Sequence, residues 1–87
     1  MDVFDRDLGS WMASQREQRS ISQDSVATQM GLDQPALSKI ERGRRRVGTY
    51  ELLHWAESVG VTDDELHGTL EVLRRKHFSQ HRRAIRG

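Results

Sequence analysis

Apolar residues recur along this chain at helical spacing, and no segment shows the alternation of a half-buried strand. A first helix is predicted from Val3 to Arg19, with Asp2 as its cap and Phe4, Leu8, Met12 (or Trp11) and Gln15/Arg16 on its inward stripe. Ser22 is a natural cap for a second helix that turns Val26, Ala27 and Met30 inward and stops at Gly31. Asp33 caps a third, with Pro35 in the first turn, where a missing N–H costs little. That helix turns Leu37 and Ile40 inward and closes at Gly43. A fourth is predicted from near Thr49 to Gly60 on Leu52, Leu53, Ala56 and Val59. Thr62-Asp63-Asp64-Glu65 is a capping-box sequence, so a fifth starts there and runs to Phe78 or beyond, fraying after Ser79. With no Asn-Gly or Asp-Gly hairpin signal, the expected fold class is all-α with five helices.

On the fifth helix Leu66, Leu70 and Leu73 step by four and three residues, and His77 extends the stripe. So narrow a seam on an otherwise charged helix fits a twofold dimer interface, the alternative being that Leu66 and Leu70 close the small core of their own chain. The expected division is therefore a domain over residues 1–67 and a C-terminal helical extension with a basic tail over 68–87, serving as a dimerisation segment.

Composition narrows the function classes. A chain of 87 residues makes one small domain with a modest core, and 31% charged against 34% hydrophobic residues favours burial against a second copy. The absence of Cys removes disulfides, thiolate zinc sites and cysteine nucleophiles. No apolar run reaches the length of a signal segment or membrane span, so a soluble, cytoplasmic protein is expected, with no membrane partner.

The net charge of +1 hides a strong segregation. Acids outnumber bases from residue 1 to 38. Lys39, Arg42, Arg44, Arg45 and Arg46 then face only Glu41, residues 47–73 contain acids and no Lys or Arg, and from Arg74 onward there are bases alone. Contact with nucleic acid depends on local potential, which two concentrated basic patches supply.

The segment from Gln23 to Arg42 is the most specific object in the chain. Val26, Met30, Leu32, Leu37 and Ile40 are spaced for two helices packed through a short turn, with Ala27 where backbones approach and Gly31 at the turn. Together with Ile21-Ser22-Gln23, the run Leu37 to Gly43 and Trp55-Ala56-Glu57-Ser58-Val59-Gly60-Val61, it resembles the helix-turn-helix of lambda-repressor-like, or XRE-type, regulators. Small phage repressors and restriction-modification controller proteins are of this kind. The resemblance spans roughly Leu8 to Leu66.

It implies that Gln34 to Arg42 is a recognition helix entering the major groove, with Gln34, Pro35, Ser38 and Lys39 reading bases. Gln34 pairs with adenine, Lys39 donates to guanine, Ser38 serves base or phosphate, and Pro35 with Ala36 meets a thymine methyl. It assigns phosphate contacts to Gln23, Arg42, Arg44, Arg45, Arg46 and Thr49, of which two of the three consecutive arginines are expected to act. It also implies a buried structural ion pair between Arg16 and Glu41, the alternative being that Arg16 reaches a phosphate directly or does both.

Catalysis finds little footing. His77 and His81 have the i, i+4 spacing of a metal pair but lack a third ligand and sit among bases. No nucleophile elbow, triad context or phosphate-cradling glycine loop occurs, so no enzyme, metal or cofactor is expected. The expected function is transcriptional regulation by a homodimer on a palindrome in double-stranded DNA. The alternative is an antitoxin or other protein-binding module whose partner docks on the C-terminal extension.

Overall fold

The computed structural model describes the backbone of residues 3–86 and the side chains of residues 3–78. Among the described residues there are five helices and no strand: α1 (Val3–Gln18), α2 (Gln23–Met30), α3 (Gln34–Glu41), α4 (Thr49–Val59) and α5 (Asp63–Arg86). This is the expected all-α class. The cap expected at Asp2 lies outside the described residues, as do the side chains of His81 and of the bases beyond Lys76.

The boundaries follow from local hydrogen bonding. Ser22 is extended and its hydroxyl accepts from the Ser25 N–H at 3.2 Å, and the Asp33 carboxylate accepts from the Ala36 N–H at 2.9 Å. Each satisfies a donor that a helix start leaves orphaned. Gly31 ends α2 at φ 75°, a left-handed conformation that a β-carbon disfavours. At the start of α5, Thr62 and Glu65 cap one another: the Glu65 N–H donates to the Thr62 hydroxyl at 3.1 Å and the Thr62 N–H to the Glu65 carboxylate at 3.3 Å. The Thr62 N–H and the Thr62 hydroxyl, which donates to the same carboxylate oxygen at 3.0 Å, hold the Glu65 carboxyl below its usual range, with Arg19 nearby.

α1 packs against α3 and α5, and α2 against α3 and α4. Trp55, Met12, Leu37, Ile40 and Val26, one or more from each of the first four helices, are fully buried where these helices meet. Two glycines set how closely the layers approach. A β-carbon on Gly9 of α1 would lie 2.2 Å from the Ile40 carbonyl oxygen, and one on Gly43 would lie 2.5 Å from the Arg6 Cα. α1 therefore presses directly on the C-terminal end of α3.

The inward face of α4 differs from expectation at one position. Leu53 is 53% exposed, whereas Trp55 is fully buried and packs on Trp11 with ring centroids 5.1 Å apart. Leu52, Trp55, Ala56 and Val59 form the i, i+3, i+4, i+7 set, and Leu53 falls outside it.

The C-terminal stripe requires a larger correction. Leu66 and Leu73 are buried in the chain's own core, and Leu70 packs against it. His77 has only 14% of its side chain exposed, meets the Phe4 ring edge-on at 5.6 Å and lies 2.9 Å from the Asp7 carboxylate. Lys76 reaches the same Asp7 oxygen at 2.8 Å, and with His77 it holds the Asp7 carboxyl below its ordinary value. The stripe expected to form a twofold seam is therefore covered by α1, because α5 lies back along that helix. The expected division at residues 67/68 falls inside α5.

Candidate nucleic-acid interface

α3 is two-sided. Leu37 and Ile40 are buried, while Gln34, Pro35, Lys39 and the following Arg42 are exposed and Ser38 is half-buried. The four expected base readers thus share one outward face.

Behind that face lies a continuous polar chain. Arg16 of α1 grips Glu41 at the end of α3 with two parallel bonds, Nε to Oε2 at 2.8 Å and Nη2 to Oε1 at 3.1 Å, and its Nη1 donates to the Ile21 carbonyl at 2.8 Å. Their side chains are 12% and 5% exposed. Hydrogen bonding to Glu41 raises the Arg16 pKa, so the guanidinium stays charged. Gln23, the first residue of α2, donates its Nε2 to Glu41 Oε1 at 2.8 Å, and its Oε1 accepts from Nε2 of Gln34.

The direction of this chain is forced. A carboxylate only accepts, so the Gln23 amide must present its NH2 group to Glu41 and its oxygen to Gln34. Gln34 must answer with an N–H. Its Oε1 and one remaining N–H are thereby left for a ligand in fixed order.

The basic loop after α3 is less uniform than its sequence suggests. Arg45 is held by Glu51 in two bonds of 3.0 Å, and Glu51 also accepts the Gly48 N–H at the start of α4 at 2.9 Å. Arg45 first, then the Gly48 amide, keeps the Glu51 carboxyl below its usual range. Arg46 is 73% exposed and touches Asp5 at 3.1 Å. Among the described residues, no hydrogen bond or ion pair holds the side chains of Lys39, Arg42 or Arg44. Thr49 is exposed at the first position of α4.

Gln23 and Arg45, both expected at phosphates, are thus structural partners in this fold. Sequence reasoning also passed over Glu51, although its place three residues after the residue preceding α4 is the position from which an acidic side chain caps a helix. Gly9 gave no local signal, since its role lies in a distant carbonyl.

Two short helices joined at a left-handed glycine, with the second helix's polar face outward and flanked by unengaged bases, constitute a helix-turn-helix. The chain belongs to this family, the lambda-repressor-like or XRE-type regulators: the family model described as Helix-turn-helix matches residues 12–66. It is 34% identical over 77 residues to the uncharacterized HTH-type transcriptional regulator Rv0474 of Mycobacterium tuberculosis, a match covering 88% of this chain and 55% of that protein. The chain thus spans about half the length of its mycobacterial relatives. The uncharacterized HTH-type transcriptional regulator y4dJ of Sinorhizobium fredii is 36% identical over 59 residues, covering 68% of this chain and 77% of the relative. The control protein C.MunI of a Mycoplasma species is 36% identical over 56 residues, covering 64% and 76% respectively. No solved structure matches. Among the described residues no helix is long and apolar enough to cross a membrane.

Proposed function

We propose that the chain regulates transcription in the cytoplasm by binding a palindromic operator as a homodimer, each copy placing α3 in the major groove. The observation that carries this reading is the polar chain ending at Gln34. Gln34 is left with one acceptor and one donor, the complement of the N6 amino group and N7 of adenine. Lys39, on the same outward face, is suited to guanine O6 or N7. Ser38 is half-buried and hydrogen-bonds a base or a nearby phosphate, and Pro35 offers an apolar surface to a thymine methyl.

Phosphate contacts fall to Arg42, Arg44, Arg46 and Thr49. Arg45 acts indirectly by fixing the loop through Glu51, and Gln23 acts by orienting Gln34. Such contacts set register and affinity, while the α3 face carries the sequence information.

Selection of bound duplexes from a random pool tests the proposal. A palindromic consensus with adenine at a fixed position in each half-site is the expected result. Absence of enrichment would overturn it and favour the protein-binding alternative.

A further inference from the structure

Beyond Glu71 the chain contains no acid, and Arg74, Arg75, Lys76, Arg82, Arg83 and Arg86 follow. None of these bases lies on α3 or on the loop after it. Two are engaged within the fold, Arg74 with Glu71 at 3.1 Å and Lys76 with Asp7 at 2.8 Å. Arg75 keeps 72% of its side chain exposed and has only a 3.6 Å contact to the same Glu71. Helical spacing gathers the run on one side: positions 75, 82 and 86 follow at i, i+7 and i+11, and 76 and 83 at i and i+7, on the part of α5 turned away from the Leu66, Leu73 and His77 positions packed on α1. Like charges three and four residues apart, as at positions 82, 83 and 86, oppose a helix. An anion lying along the stripe relieves that cost.

The packing of α5 on α1 decides where the stripe begins. The two helices run antiparallel: Asp64 and Gly68 line a cleft with Trp11 and Gln15, and Phe78 lies 6.2 Å from Phe4 at the beginning of α1. The residues after Phe78, up to Arg86, therefore carry the helix about 12 Å past Phe4. That end of α1 also meets the basic loop. A β-carbon on Gly43 would lie 2.5 Å from the Arg6 Cα, Arg46 touches Asp5 at 3.1 Å, and one groove of about 660 Å³ has Arg46 and Val47 on one side and His77 and Phe78 on the other. Arg6 is exposed where α1 crosses the loop, and among the described residues no hydrogen bond or ion pair holds its side chain. The basic half of α5 thus leaves the body of the fold beside the loop that bears Arg44 and Arg46.

We propose that the basic stripe of α5, from Arg75 to Arg86, is a second duplex-binding element that grips backbone phosphates adjacent to those met by the loop after α3. The inference rests on the DNA-binding reading above and extends it to a part of the chain outside the helix-turn-helix. Contacts of this kind add affinity and salt dependence without sequence information.

Fluorescence anisotropy across salt concentrations tests this on the full chain carrying Arg75→Gln, Arg82→Gln and Arg86→Gln together, with a nonspecific duplex and with the duplex enriched in selection. If about two phosphate contacts are lost per subunit, the slope of log K against log salt falls by roughly 2 per subunit on both duplexes, while the selected consensus stays that of wild type. Lys at the same three positions keeps the charge and is expected to retain most of the slope, and circular dichroism is expected to report wild-type helix content in both variants. Ethylation interference is expected to place the phosphates released by the Gln variant next to those released by Arg44→Ala. An unchanged slope in the Gln variant, or an equal loss in the Lys variant, would overturn the proposal; the first result leaves the stripe to an acidic protein surface. The two readings fail separately. A consensus selected by wild type with an unchanged slope in the Gln variant removes the α5 contact alone, whereas no enrichment by wild type with a reduced slope in the Gln variant removes base reading by α3 and leaves the α5 contact standing.

Discussion

Replacing Glu41 by Ala removes the centre of the polar chain. Three hydrogen bonds are lost, two from Arg16 at 2.8 and 3.1 Å and one from Gln23 at 2.8 Å, and the 12%-exposed guanidinium of Arg16 keeps only its bond to the Ile21 carbonyl. Breaking a buried pair from one side costs roughly 3 to 5 kcal/mol. Residual solvent access at Arg16 and its surviving carbonyl bond place the expectation at the low end, about 3 kcal/mol. For a domain of this size total stability is on the order of 5 to 10 kcal/mol, so roughly 30 to 60% of it is lost. With ~4 to 8 °C per kcal/mol, Tm falls by roughly 12 to 24 °C. Urea unfolding followed by circular dichroism gives the free energy, and a thermal scan gives Tm. Replacing both partners, Arg16→Met with Glu41→Leu, leaves no buried charge unpaired, and its stability should lie closer to wild type than the single variant. A loss below about 1 kcal/mol in Glu41→Ala would refute the reasoning, as would a double variant less stable than the single one.

Arg44→Ala is expected to weaken binding to all duplexes alike and to reduce the slope of log K against log salt by roughly 1 per subunit, whereas Arg45→Ala mainly lowers stability by up to about 1 kcal/mol; fluorescence anisotropy across salt concentrations and urea titration separate the two. Gln34→Ala should lose about 1 to 3 kcal/mol of discrimination at one or two base pairs with little change on nonspecific DNA, and Gln23→Ala should relax preference at the same position; repeat selection with each variant reads this directly. Gly9→Ala, whose β-carbon would meet the Ile40 carbonyl at 2.2 Å, should destabilise by about 2 kcal/mol or more in urea. Because the folded carboxyls of Glu51, Glu65 and Asp7 lie below their unfolded values, their stabilisation is present above about pH 4.3 and is lost as pH falls through the folded values; Tm should hold between about pH 5 and 8 and drop below, less steeply in Glu51→Gln.

Much of the architecture was legible because its signals are local. Ser22, Gly31, Asp33, Pro35, Gly60 and the Thr62–Glu65 pair each act within four residues, and the apolar periodicity needs only one helix to be seen. The outward face of α3 followed from the two inward positions, Leu37 and Ile40. Periodicity reports that a face is buried without saying by what, so the Leu66–Leu73 stripe was assigned to a second copy when α1 of the same chain covers it. The Arg45–Glu51 contact escaped because a loop separates the pair and no helical spacing marks it. The Gln23–Glu41 bond, eighteen residues apart, and the Gly9 approach to Ile40 exist only once α1, α2 and α3 are packed.

The central claim, that the outward face of α3 meets the edges of base pairs, is tested most directly by nuclear magnetic resonance titration of the 15N-labelled full chain with the duplex enriched in selection. The expected result is that the side-chain amide of Gln34 and the backbone amides of Gln34, Ser38 and Lys39 shift most, followed by those of Arg44 and Thr49, while the outer face of α4 stays unchanged. Shifts concentrated on α4 or α5, with the Gln34 side-chain amide unmoved at saturation, would contradict it.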